Sequence, residues 1–121
     1  MRRALPLIVV AATLALAGTA ASGSARPAAT AARTVSVKVG DNYYVRPRGV
    51  PTLRVRRGTV VRWVWRGRQL HDVAVASGPT RFRSSLKTRG SFRKRVTRRG
   101  TYVIYCTIHG RADMSMRLRV R

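Results

Sequence analysis

Residues 114–121 alternate without a break. Met114, Met116, Leu118 and Val120 fall on one face of an extended chain, and Ser115, Arg117, Arg119 and Arg121 on the other. A period of two is the mark of a strand with one face buried and one face wet. The same rhythm recurs in Val35, Val37 and Val39 against Ser36 and Lys38. It recurs again in Leu53 and Val55 against Arg54 and Arg56, and in Val61, Trp63 and Trp65 against Arg62, Val64 and Arg66. Placing arginine on the wet face lets a chain with 26 Lys and Arg against 3 acids keep an apolar interior.

Turn residues divide these runs. Gly40-Asp41-Asn42, Gly58, Ser77-Gly78-Pro79, Gly90 and Gly100 each stop one strand before the next begins. Val73 and Val75 read as a strand, and Ser91 to Thr97 as another with Phe92 and Val96 inward. Arg81 to Arg89 reads as a basic loop with room for one helical turn. Tyr102, Ile104 and Cys106 share a face, so the cysteine points where the core residues point. Short strands at regular spacing, without a long helix or an internal repeat, predict an all-β sandwich over residues 34–121.

The N-terminus has a different character. Arg2 and Arg3 are followed by an apolar stretch from Leu5 to Ala17 and small residues from Gly18 to Ala25. Residues 1–25 therefore read as an export signal, with an uncleaved anchor as the rival reading. Arg2-Arg3 fits both the twin-arginine route and an ordinary basic start. Residues 26–33 read as a flexible linker. The expected location is periplasmic, cell-surface or secreted. The formal net charge of +23 falls to about +21 once Arg2 and Arg3 are removed.

Exported domains tend to carry cysteines in pairs, yet Cys106 is alone. His109 follows three residues later and Met114 five after that, while His71, the second of two histidines, stands upstream. One thiolate, two imidazoles and one thioether are the donors of a blue-copper electron-transfer site. His71, Cys106, His109 and Met114 are accordingly the candidate metal ligands, and one Cu(I)/Cu(II) ion the candidate cofactor. No catalytic residue is expected. Cys106 with His109 could act as a nucleophilic pair, but the apolar strand and the following methionine suit ligation better.

The stretches VSVKVGDNYYVRP, TLRVRRGTVVRW, LHDV, RGSF, RRGTYVIYCTIHG and DMSMRLRV resemble the small blue-copper proteins, the cupredoxins of the plastocyanin, azurin and pseudoazurin type. The spacing of Cys106, His109 and Met114 is similar to that of plastocyanin. The resemblance implies a Greek-key β-sandwich with one type 1 copper at one end, carrying single electrons between larger redox proteins. It implies Cys106, His71 and His109 as a trigonal plane, with Met114 as the long axial ligand. It also implies that His109 reaches the surface within an apolar patch, to which Leu70 and Ile108 would contribute, with Arg68 and Arg111 at the rim.

Three positions depart from the family pattern. Asp72 stands where Asn usually bridges the two ligand loops, and an ionised carboxylate only accepts hydrogen bonds. Met116 is a second thioether, read as core because Leu118 and Val120 share its face. Trp65 replaces a small polar residue.

A multicopper enzyme would need further histidines, so an enzyme is not expected. The partners expected are redox proteins of acidic character, and the charge also suits an anionic membrane or cell-wall surface. Nucleic acid is disfavoured, because a module that bound it would have no need of Cys106. A monomer is expected. The alternatives to an electron carrier are a copper-handling or storage protein, and a basic cell-surface binding module on the same scaffold.

Overall fold

The structure is a computed structural model that describes residues 32–121, with Gly18 and Gly23. Apart from Gly18 and Gly23, the proposed export signal lies outside the described residues, as does the linker apart from Ala32 and Arg33. The rest forms eight strands and one short helix: β1 (Thr34–Gly40), β2 (Tyr43–Tyr44), β3 (Thr52–Val55), β4 (Val60–Trp65), β5 (Ala74–Ser77), β6 (Ser91–Arg95), β7 (Gly100–Tyr105), α1 (Gly110–Asp113) and β8 (Ser115–Val120).

The strands make two four-stranded sheets, ordered β2-β1-β4-β6 and β3-β8-β7-β5. β1 runs parallel to β4, and β3 runs parallel to β8, while the other pairs are antiparallel. After the β1–β2 hairpin the chain crosses repeatedly between sheets, and only β7 and β8 follow each other within one. This is the sandwich expected from the period-two runs.

The alternation translates directly into burial. In β4, Val61, Trp63 and Trp65 are buried, and in β8 Met116, Leu118 and Val120 are. Trp63 is fully enclosed and packs on Phe82 and Phe92 at centroid distances of 5.9 and 5.8 Å, a spacing that favours tilted aromatic pairs. Met116 lies opposite Ile104 across the β7–β8 ladder, as a core residue should.

The Arg81–Arg89 loop contains no helical turn. It is extended, and it pairs with the segment before β5 through bridges between His71 and Lys87 and between Ala74 and Arg83. His71 and Lys87 exchange backbone bonds of 2.9 Å each, and Ser84 N–H donates to Val73 O at 2.8 Å. A helical turn would have closed its own bonds and left the backbone around buried His71 unpaired.

Candidate metal centre

The strand ends bring the donors together. β7 delivers Cys106 on its inward face, where the side chain is fully buried. Cys106 N–H donates to Met114 O at 3.2 Å, which seats the start of β8 beside the end of β7. Between them the chain reverses at Gly110, whose φ of +82° favours glycine. Gly110 N–H donates to Cys106 O at 2.9 Å, and α1 then carries the chain to Met114. His109 is thereby folded back over the cysteine.

Cys106 Sγ lies 3.4 Å from His109 Nδ1 and 3.9 Å from His71 Nδ1. The three donor atoms all fall within 4.8 Å of one another. The two imidazole rings are 4.8 Å apart between centroids. His71 is fully buried and His109 is half-buried. Met114 is buried at the end of the same loop. Thiolate and imidazole suit copper, and the buried Cys106 has no disulfide partner. Three converging soft and borderline donors fit a single copper ion, and buried Met114 is joined to Cys106 through its backbone carbonyl.

Each half of the His71-Asp72 pair is held on several sides. Asp41 Oδ1 stands 3.0 Å from His71 Nε2. An ionised carboxylate only accepts, so Nε2 carries the proton and Nδ1 keeps its lone pair toward Cys106. Asp41 is fixed in turn by the loop that precedes His71. Arg68 N–H donates to both carboxylate oxygens at 3.0 Å, and Gln69 N–H to Oδ1 at 2.9 Å. These backbone donors, with the His71 contact, lower the Asp41 carboxyl to about 2. A side chain on Gly67 would collide with that carboxylate. Sequence reasoning read Asp41 as a turn residue. No local pattern marks a contact made across thirty positions.

Asp72 does bridge the ligand loops, and it does so using acceptors alone. Its buried carboxylate takes Thr107 N–H at 2.7 Å, the Thr107 hydroxyl at 2.6 Å and Arg83 Nε at 3.1 Å. Every neighbour is a donor, so an acid replaces an amide without leaving a lone pair opposed. Tyr44 donates its hydroxyl to Asp72 O, and burial pushes the phenol far above its ordinary range. Trp65, unexplained from sequence, donates its indole N–H to His71 O at 3.1 Å. Lys87 covers the Trp65 ring at 5.6 Å. Asp113 is exposed in α1, an ordinary loop acid.

Leu70 and Ile108, each beside a histidine in sequence, are 42% and 52% exposed. Leu86, which adjoins the His71 partner Lys87, is 44% exposed and was not singled out from sequence.

A two-sheet β-sandwich with a cysteine and two histidines gathered at one end defines the cupredoxin fold with a site that fits a blue copper protein. Among similar solved structures, a Cu(I) amicyanin variant shares 23% identity, with a TM-score of 0.60 over 73% of this chain and 82% of that one. A reduced Cu(I) form of another amicyanin variant shares 25% identity, with a TM-score of 0.58 over 77% and 85%. The Cu-containing nitrite reductase of Thermus scotoductus SA-01 shares 25% identity at a TM-score of 0.60, but the match spans only 25% of that chain. No protein-family model and no curated protein matches the sequence.

Proposed function

We propose that this chain is an exported type 1 copper protein that carries single electrons between redox partners. The observation that carries the reading is the convergence of Cys106 Sγ, His71 Nδ1 and His109 Nδ1 within 4.8 Å. Cys106, His71 and His109 would hold the copper, with Met114 as the weak fourth ligand. The ion would supply a one-electron couple.

The residues of the chain do the rest. Asp41 orients His71 and fixes which nitrogen faces the thiolate. Asp72 ties the His71 segment to the Cys106 loop through Thr107, so both ligand segments keep one spacing in either oxidation state. His109 is the ligand that reaches the surface, and Leu70, Leu86 and Ile108 give a partner an apolar landing. A net charge of about +21 on the exported domain favours an acidic partner. Export is supported by the N-terminal basic and apolar pattern alone. Among the described residues no helix is long and apolar enough to cross a membrane.

The nitrite reductase likeness does not extend to an enzymatic reading here, because this chain has two histidines and both stand at the one site. Cyclic voltammetry of the copper-loaded protein in the presence of a Cu(I) chelator tests the carrier role. A reversible couple without copper loss is expected. Loss of copper to the chelator on each reduction would move the reading to copper handling.

A further inference from the structure

The metal donors occupy one end of the sandwich. A second feature lies at the other end, and the electron-carrier reading leaves it unused. Strand direction separates the two. β1 and β4 run parallel and finish at Gly40 and Trp65, beside the Asp41 and His71 cluster. β8 begins beside Cys106 and runs away from it to Val120, with β3 alongside. Six-residue strands place the far end about 20 Å from the donors.

At that far end, the start of β1, the end of β3, the β3–β4 turn and the residue after β8 enclose a concavity of about 710 Å³. Arg33, Arg54, Arg56, Arg57 and Arg121 line it, over a floor that includes Val35, Leu53 and Val55. No acidic side chain lines it. Among the described residues the ion pairs are Asp41–His71 and Asp72–Arg83, both at the metal end. The five arginines are exposed and like-charged, so an anion bound among them would relieve their mutual repulsion.

We propose that this concavity is a binding site for a multiply charged, phosphate-bearing ligand. Guanidinium forks match phosphate oxygens in pairs, and a group carrying more than one negative charge engages several arginines at once. The apolar floor accommodates the organic part of an ester. Residues 1–31 join the domain at Ala32, which itself lines the concavity. An N-terminal segment held at a bilayer would therefore bring this end to the lipid phosphates and leave His109 facing away.

The test is calorimetric titration of the purified protein with sodium tripolyphosphate, alongside sedimentation with phosphatidylcholine vesicles with or without phosphatidic acid, whose phosphomonoester can carry two charges. One tripolyphosphate per chain is expected. Arg56→Gln with Arg57→Gln should weaken binding at least about tenfold, since charge-assisted contacts are lost. Arg89→Gln with Arg93→Gln removes equal charge from exposed positions outside the concavity and should change affinity less than about twofold. Phosphatidic-acid-dependent sedimentation with the same order of variants assigns the phosphate to a lipid headgroup, and tripolyphosphate binding alone assigns it to a soluble ligand. Equal weakening by both double variants would mean diffuse charge attraction and overturn the site. So would the absence of saturable binding to either probe.

Discussion

Asp41 Oδ1 lies 3.0 Å from His71 Nε2, and the two residues are thirty positions apart. The contact decides which imidazole nitrogen keeps its lone pair toward Cys106, and it sets a negative charge behind that imidazole. Carboxylates on the outer nitrogen of a metal-binding histidine raise its basicity and fix its ring. Asp41→Asn should therefore raise the reduction potential, because less charge supports Cu(II). It should also lower copper affinity by about 10–100-fold. Voltammetry and a competition titration check both. An unchanged potential would mean that Asp41 serves only the Gly67–Gln69 loop.

The same carboxylate has a pH signature. Its folded pKa of about 2 lies below the ordinary 3.8. A depressed carboxyl stabilises the fold fully above its unfolded value and loses that contribution as pH falls toward the folded value. The metal-free protein should thus lose the Asp41 contribution between about pH 3.8 and 2. Acid unfolding followed by tryptophan fluorescence should show wild type and Asp41→Asn converging at the low end of that window.

Asp72 presents a separable question. Asp72→Asn turns one acceptor into an NH₂ group facing the Thr107 hydroxyl and Arg83. One buried acceptor lost should destabilise the metal-free domain by about 1–3 kcal/mol in urea unfolding. Adding Arg83→Gln should restore part of it, because the side-chain amide can accept where the guanidinium could not. Strict additivity of the two changes would contradict the coupling drawn here.

The strands, and the meeting of Cys106 with His109 and His71, were legible in the sequence, the strands from local alternation and the meeting from the scarcity of cysteine and histidine. Period-two runs such as Val61, Trp63 and Trp65 state their own inward face, and a lone cysteine near a histidine restricts the chemistry sharply. The supports of His71 were not legible. Asp41 meets it only because β1 ends beside the Gly67–Gln69 loop, and Trp65 finds the His71 carbonyl only once β4 is in place. The Arg81–Arg89 loop was open to a helical turn for the same reason. Its extended form is set by the backbone of His71 and Val73, which needed partners.

Met114 and Met116 are both buried, so burial alone does not assign the axial ligand. Met116 faces Ile104 in the β7–β8 ladder, whereas Met114 sits at the end of the ligand loop and its carbonyl takes the Cys106 N–H. Met114→Leu should raise the potential and shift the visible spectrum, since the thioether no longer donates to oxidised copper. Met116→Leu conserves core volume and should cost less than about 1.5 kcal/mol, with the potential unchanged. The opposite pattern of potentials would reverse the assignment.

The central claim is a thiolate–bis-imidazole copper centre at the end of the sandwich. The visible absorption spectrum of the purified protein after addition of one equivalent of Cu(II) tests it directly. The expected result is an intense blue band from Cys106-to-copper charge transfer, absent in a Cys106→Ser variant that remains folded. A colourless wild type under those conditions, or a Cys106→Ser variant that stays blue, would contradict the account.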